Sequence, residues 1–182
     1  PTFVPAAPTL ANYQKALFAS PFPLFVRNSA LVAAGVTFLS IIVAALAAYA
    51  IARLQFKGKA LVGRSIVVTY LLPPTLLFIP LFIVLNRLAL ADSIPGLILA
   101  YLTFTVPCCT WMLIGYFRPI PMELDEAARI DGATRLQTLR RVVMPLALPG
   151  LSVVALFAFT HAWNEFLYAL VFVYSNSAKT FT

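Results

Sequence analysis

Charged residues are scarce in this chain: aspartate, glutamate, lysine and arginine together make up only 10% of its 182 residues. A soluble domain carries about a quarter of its residues as charges, so this shortage leaves too little polar surface for a water-soluble globule. Hydrophobic residues make up 62%, and the mean hydropathy is +0.92. The same numbers exclude disorder, because disordered chains are poor in aromatic and aliphatic residues. The composition therefore predicts an integral membrane protein.

Cysteine and histidine are also scarce, with two cysteines and one histidine in the whole sequence. Cys108 and Cys109 are adjacent, so a disulfide between them would be strained, and nothing has the spacing of a metal site. The lone His161 stands beside no serine or cysteine that would serve as a nucleophile, which argues against a membrane-embedded enzyme. We therefore expect no catalytic, cofactor-binding or metal-ligating residues. The chain starts at Pro1 without a signal-peptide pattern, and we expect it to be a piece of a longer protein.

Four stretches are long and apolar enough to cross a bilayer, which takes about 20 helical residues. They are residues 28–52, 65–85, 94–116 and 146–174. Prolines inside the second and third stretches predict kinked helices. Continuous apolar runs of this length are typical of helices and not of the alternating strands of a membrane barrel. The sequence thus predicts an all-α fold, a bundle of four transmembrane helices.

The lysines and arginines predict how these spans are oriented. Nine of the thirteen lie in the connections after the first and third spans, and four lie on the other side. Because basic residues concentrate in cytoplasmic loops, the side with nine is expected to be cytoplasmic, and both ends of the chain extracytoplasmic. The net charge of +7 is then a topology signal, and we expect no nucleic-acid partner.

The polar connection at residues 118–145 is predicted to form a helix-turn-helix between two spans. Glu123, Asp125 and Glu126 place negative charge at the positive end of its first helix. Gly132 is expected to end that helix, and Thr134 with Gln137 has the capping-box spacing of a second one. The first helix has a small apolar side, formed by Leu124, Ala127, Ala128 and Ile130.

The sequence of this connection resembles the EAA loop of bacterial ABC-importer permeases. The sequence Glu126-Ala127-Ala128 is followed after three residues by Gly132, and after nine more by Val142-Val143-Met144-Pro145. The family pattern ends in I-x-L-P, and valine and methionine keep the apolar character of the two replaced positions. Two further stretches are similar to the carbohydrate-uptake, MalG-like branch of that family: Ile130-Asp131-Gly132-Ala133 and Ala162-Trp163-Asn164-Glu165-Phe166.

The resemblance implies a permease subunit that works with other proteins. A cytoplasmic ABC ATPase dimer would bind ATP and dock on the first loop helix, so the chain itself would need no cofactor and catalyse nothing. A second homologous permease subunit, an extracytoplasmic solute-binding protein and a sugar complete the implied assembly, embedded in the lipid of the bacterial inner membrane. Residues 1–182 would then be a single permease domain truncated at both ends, with about six spans in the parent protein. The residues implied in coupling to the ATPase are Glu126, Ala127, Ala128, Asp131, Gly132, Ala133 and Pro145.

One further group has several interpretations. His161, Asn164 and Glu165 have helical spacing within the fourth predicted span, and ionisable groups at membrane depth face a cavity or a partner. They are candidates for a sugar or solvent pathway, a proton relay, or a hydrogen-bond cluster that holds the bundle or a subunit interface. A proton relay would suit a proton-coupled secondary transporter, which is one rival function. A second rival is an importer permease for another solute class, such as glycerol phosphate or an amino acid.

Overall fold

The structure is a computed structural model that describes residues 10–181, and these residues form helices and no strands. Two long helices, α2 and α5, are accompanied by shorter ones on either side. In chain order the α-helices are α1 (Ala11–Phe18), α2 (Phe22–Arg53), α3 (Lys59–Leu71), α4 (Phe78–Arg87), α5 (Ile94–Phe117), α6 (Met122–Ile130), α7 (Arg135–Thr138), α8 (Met144–Leu146), α9 (Leu148–Trp163) and α10 (Leu167–Phe172). A 3₁₀ turn at Pro74–Leu77 precedes α4, and a π-helical turn at Leu139–Val143 joins α7 to α8. The all-α fold is as the sequence predicts, although both ends of the predicted domain 1–182 lie outside the described residues.

Helix α2 packs along α5, and α9 lies against both. Small residues make this close packing possible: Ala44, Ala45 and Ala48 of α2 are buried against Leu113 and Phe117 of α5. Close approach of backbones through small side chains is the usual way in which membrane helices associate. Midway along the pair, the hydroxyls of Ser40 and Thr105 form a buried hydrogen bond of 2.8 Å.

Helices α2 and α5 are the two continuous helices in residues 10–181 that are long and apolar enough to cross a membrane. The number rises to four when each of two bent helix pairs is counted as one span. Helix α2 begins at Phe22, earlier than the predicted start of the first span at residue 28. Helix α5 contains Pro107 without interruption, whereas the sequence favoured a kink there.

The second predicted span, 65–85, is broken into α3 and the segment Pro74–Arg87, which meet at 96°. Pro73 and Pro74 lie at the break, where each removes a backbone donor and prevents the helix from continuing. The segment Arg135–Leu146 likewise turns by 86° into α9.

The fourth predicted span, 146–174, is not one helix. Helix α9 ends at Trp163, and α10 starts at Leu167. A side-chain oxygen of Glu165 accepts a hydrogen bond from the backbone N–H of Tyr168 at 3.1 Å, which satisfies a donor at the start of α10. The hydroxyl of Tyr101 donates to the backbone carbonyl of Glu165 at 3.0 Å and ties the break to α5. These polar contacts offset the loss of helical hydrogen bonds at the break.

The segment after α10 returns to the start of α2. The side-chain amide of Asn28 donates to the carbonyls of Ser177 and Lys179, both at 2.9 Å. The backbone N–H of Phe181 donates to the hydroxyl of Ser29 at 2.7 Å. Asn28 and Ser29 therefore connect two parts of the chain that are about 150 positions apart.

Candidate functional site

The loop between α5 and α9 forms the helix-turn-helix that the sequence predicts. Helix α6 ends at Ile130, and Gly132 follows with φ of +83°, a conformation that suits glycine. The N–H of Gly132 donates to the carbonyl of Arg129 at 3.1 Å, and that of Ala133 donates to the carbonyl of Ala128 at 2.9 Å. Two carbonyls at the end of α6 are thus satisfied by the turn itself.

The second loop helix begins with the predicted capping box. The backbone N–H of Thr134 donates to the side-chain oxygen of Gln137 at 2.7 Å. In return, the N–H of Gln137 donates to the Thr134 hydroxyl at 3.3 Å. Helix α7 continues through the π-helical turn and α8, and its C-terminal part is anchored by buried Leu139 and Val143.

Four of the residues that the sequence singles out line one groove at the turn. Ala128, Asp131, Gly132 and Ala133 form one wall of a cavity of about 340 Å³. The opposite wall belongs to the second loop helix and consists of Gln137, Thr138, Arg141 and Val142. Glu126 and Ala127 are exposed on α6 outside this groove. Pro145 is exposed on α8 and does not line the groove either.

The apolar side predicted for α6 is exposed to the surroundings. Ile130 is 86% exposed, and Leu136 on α7 is 63% exposed. Leu124 and Ala127 are also exposed, and Ala128 is half-buried. An exposed apolar surface that is rimmed by polar residues is typical of an interaction site.

The residue of α6 that is buried is Asp125, which the sequence suggested only as a charge at the helix start. Asp125 and Arg53 of α2 are each 5% exposed. Nη1 of Arg53 donates to the sulfur of Met122 at 3.0 Å. One carboxylate oxygen of Asp125, together with Nε and Nη2 of Arg53, has no hydrogen-bond partner among the described residues. Burial raises the pKa of the Asp125 carboxyl, and the nearby positive charge of Arg53 opposes that rise.

Glu126 and Arg129 are three residues apart on α6, a spacing that favours an ion pair within the helix. In the described part of the chain the structure shows no ion pair between Glu126 and Arg129, although the two are three residues apart. The Glu126 carboxylate is exposed next to the apolar surface of α6.

His161, Asn164 and Glu165 come together at the break between α9 and α10. They line a cavity of about 360 Å³ with Phe157 and Thr160. The His161 ring lies 5.0 Å from the ring of Phe104 and 5.6 Å from that of Phe157, centroid to centroid. The Asn164 side-chain amide donates to the carbonyl of Thr160 at 2.7 Å. Glu165 is bonded to the start of α10, so each of the three side chains has a partner close by, and together they border one cavity.

Two contacts at this break lie beyond the sequence reasoning. They are the hydrogen bond of Tyr101 to the Glu165 carbonyl and a bond of 2.7 Å from the Tyr168 hydroxyl to the carbonyl of Pro74. The second joins α10 to the bend between α3 and α4. The two buried tyrosines, Tyr101 of α5 and Tyr168 of α10, give no indication in the sequence of which carbonyls they reach.

Membrane-length helices and a helix-turn-helix between α5 and α9 define the class: an integral membrane helical bundle with a polar loop. Residues 37–177 match a family model described as the binding-protein-dependent transport system inner membrane component. The chain therefore belongs to the family of binding-protein-dependent transport system inner membrane components. This match confirms the family resemblance and the membrane-helical fold that the sequence indicated.

Relatives agree with this assignment. The chain is 44% identical to a putative ABC transporter permease protein of Streptomyces antibioticus, over 97% of this chain and 77% of the relative. It is 44% identical to the sulfoquinovosyl glycerol transport system permease protein SmoH of Agrobacterium fabrum, over 98% of this chain and 63% of the relative. It is 37% identical to the trehalose/maltose transport system permease protein MalG of Thermococcus litoralis, over 94% of this chain and 63% of the relative.

A solved structure shares the fold. It is a bacterial ABC transporter involved in the import of the acidic polysaccharide alginate, and one of its chains superposes with a TM-score of 0.84 at 26% identity. The match covers 96% of this chain and 61% of the solved one. The chain thus spans somewhat less than two thirds of the length of most of these similar proteins.

Proposed function

We propose that this chain belongs to the permease subunit of an ATP-driven importer and docks on a separate ATPase through α6 and the turn that follows it. The observation that carries the proposal is the groove at Ala128, Asp131, Gly132 and Ala133, beside the exposed apolar surface of α6. A short rigid helix with small side chains lets a partner approach closely. The exposed carboxylate of Glu126 is available to a basic residue of that partner.

Movement of a docked α6 would be passed to the bundle along two connections. The first is the hydrogen bond from Arg53 at the end of α2 to Met122, with Asp125 buried nearby. The second is the segment Arg135–Leu146, which bends into α9. Both α2 and α9 belong to the central packed group, so a displacement of the loop would change how the bundle encloses its pathway.

We propose a carbohydrate as the transported solute. The names of two of the relatives described above mention sugars, sulfoquinovosyl glycerol in one and trehalose/maltose in the other. The similar solved structure is involved in alginate import. The proposed assembly contains an ATPase dimer, a second homologous permease and an extracytoplasmic binding protein. The chain itself would be non-catalytic and bind no cofactor, with ATP bound by the ATPase. The excess of basic residues supports an orientation in the cell membrane with the loop in the cytoplasm and both ends of residues 1–182 outside.

The test compares two charge reversals on the same helix in the full-length protein. Glu126→Lys changes the carboxylate next to the proposed docking surface, and Glu123→Lys changes an exposed carboxylate in the first turn. The measurements are mass spectrometry of proteins that co-purify from detergent-solubilised membranes, and sugar uptake by cells.

We expect the unmodified protein to bring down an ATPase and a second permease. Glu126→Lys should remain in the membrane but lose most of the ATPase and most of the uptake, and Glu123→Lys should lose less. Normal ATPase recovery and uptake in Glu126→Lys would refute the docking assignment. Transport by a protein that purifies alone and depends on the proton gradient would favour the secondary transporter.

A further inference from the structure

A third cavity in the described part of the chain lies away from both candidate sites. It is a cleft of about 1110 Å³ between α3 and α5, near the start of α3 and the end of α5. Ligand pockets usually measure about 300–1,000 Å³, so this cleft has room for a large ligand. None of the residues proposed for docking or for the pathway lines it.

The cleft is basic at one end and apolar along its length. Lys59 is the first residue of α3, Arg64 lies one turn further along, and Arg118 directly follows α5. No aspartate or glutamate is found among its lining residues. The apolar lining of the cleft includes Val67 and Val68 of α3 and Trp111 of α5.

The basic and apolar parts of the cleft match the anionic headgroup and the acyl chain of a phospholipid. A phosphodiester headgroup is anionic and matches the three cations that line the cleft, and an acyl chain matches its apolar wall. Basic pockets between membrane helices on the cytoplasmic side are suited to anionic headgroups. The side chains of Val68 and Trp111 are more than half exposed, so an acyl chain would cover apolar surface that the described residues leave open.

We propose that this cleft binds an anionic phospholipid, with its phosphate held by Lys59, Arg64 and Arg118 and an acyl chain along Val67, Val68 and Trp111. The charges provide selectivity over a zwitterionic lipid, whose choline group would be repelled by the three cations. Each basic residue near an anionic headgroup favours binding by about fivefold. This inference does not depend on the ATPase or on the solute.

The fluorescence of Trp111, which lines the cleft, can be used to detect a bound lipid. The described chain has two tryptophans, and Trp163 does not line the cleft. Full-length protein with Trp111 as its single tryptophan is placed in phosphatidylcholine vesicles that contain a minor fraction of dibrominated phosphatidylglycerol. A parallel sample contains the same fraction of dibrominated phosphatidylcholine, because bromine quenches tryptophan fluorescence on contact. Protein with Trp163 as its single tryptophan is the matched control.

We expect brominated phosphatidylglycerol to quench Trp111 at lower concentration than brominated phosphatidylcholine, and Trp163 to show no such preference. Lys59→Gln and Arg64→Gln should each reduce the preference about fivefold, whereas Arg140→Gln, in the loop and outside the cleft, should keep it. Equal quenching of Trp111 by both lipids would overturn the proposal in favour of ordinary boundary lipid. Absence of quenching by either would overturn it in favour of a protein segment filling the cleft.

Discussion

Arg53, the last residue of α2, donates a hydrogen bond of 3.0 Å to the sulfur of Met122, the first residue of α6. The contact joins residues that are 69 positions apart and attaches the loop to the longest helix of the bundle. Asp125, one turn further along α6, is buried close enough to Arg53 for the guanidinium to lower its pKa against the effect of burial. The loop is therefore held to the bundle by the Arg53–Met122 hydrogen bond as well as by the two chain connections, and Asp125 is buried near the same guanidinium.

Replacing Arg53 by methionine should destabilise the protein, because it leaves the buried carboxylate of Asp125 without its cation. No hydrogen bond joins the two side chains, so we expect the loss of a buried polar group's neighbouring charge to cost about 1–3 kcal/mol, or a fall in Tm of about 2–12 °C for a chain of this size. The double variant Arg53→Met with Asp125→Leu should recover most of the loss, since an apolar replacement leaves no unpaired charge. Thermal unfolding in detergent measures both.

The loss of stability in the Arg53→Met variant should depend on pH. Burial raises the pKa of Asp125 above 3.8, and removal of Arg53 raises it further. An acid whose pKa is higher in the folded protein binds more protons when folded, so stability increases as pH falls from neutral toward about 4. The deficit of Arg53→Met should shrink over that range. A deficit that stays constant with pH would contradict the role of the Asp125 charge.

Gly132→Ala should weaken ATPase association. Gly132 has φ of +83°, and a left-handed conformation costs a residue with a Cβ about 1–2 kcal/mol. The added methyl group would meet nothing within 4 Å, so the cost arises from the backbone alone. If the turn relaxes to relieve it, the groove changes shape, and we expect about tenfold less ATPase to co-purify.

Gly58→Ala is the matched control for that variant. Gly58 has φ of +87°, and a Cβ there also meets nothing within 4 Å, so the backbone cost is similar. Gly58 lies before α3, outside the loop. An equal loss of ATPase in both variants would show that the effect is a general loss of stability and would count against the docking turn.

Gly150→Ala should destabilise the packing of α9 on α5. A Cβ at Gly150 would run into the ring of Tyr116, at atoms close to its backbone that cannot swing away easily. Overpacking of this kind costs about 1–3 kcal/mol. Gly115→Ala is the control, because a Cβ there has open space, and alanine favours a helix by about 0.5–1 kcal/mol. Thermal unfolding should show a lower Tm for the first variant and an unchanged or higher Tm for the second. A similar Tm in both variants would contradict the prediction, because it would mean that α9 and α5 accommodate the added methyl group without a loss of stability.

Asp92 should make the end of the chain sensitive to acid. Its carboxylate accepts hydrogen bonds from the backbone N–H groups of Ser175 and Tyr174, each at 2.9 Å, and the bond from Ser175 has the largest effect in lowering its pKa below 3.8. A depressed pKa stabilises the folded form above 3.8, and the contribution disappears as pH falls through the folded pKa. The protection of the Tyr174 and Ser175 amides from hydrogen exchange should therefore decrease at acidic pH.

The control is Asp92→Asn, which keeps an oxygen acceptor but carries no titrating charge. The ratio of exchange rates between the two proteins cancels the intrinsic effect of pH on exchange. That ratio should change below about pH 3.8 and be constant above it. A constant ratio throughout would show that the charge does not hold this segment.

Much of the fold was open to prediction because its causes are local. The apolar runs predict membrane helices, Gly132 predicts a helix end, and Thr134 with Gln137 predicts the next helix start. The break of the second span also has a local cause in Pro73 and Pro74. The break after Trp163 has no proline, and it depends on contacts of Tyr101 and Glu165 that come from different helices.

The sequence by itself determined the membrane-helical class, the helix-turn-helix and the family pattern at Glu126 to Pro145, since each depends on residues close together in the chain. Only the tertiary structure decided that Asp125 is buried near Arg53, that four loop residues share one groove, and that three cations line a largely apolar cleft. The physical reason is that periodicity and capping act within a few turns. Burial and charge pairing depend instead on which helices pack together, and here that packing is governed by small residues on α2, α5 and α9.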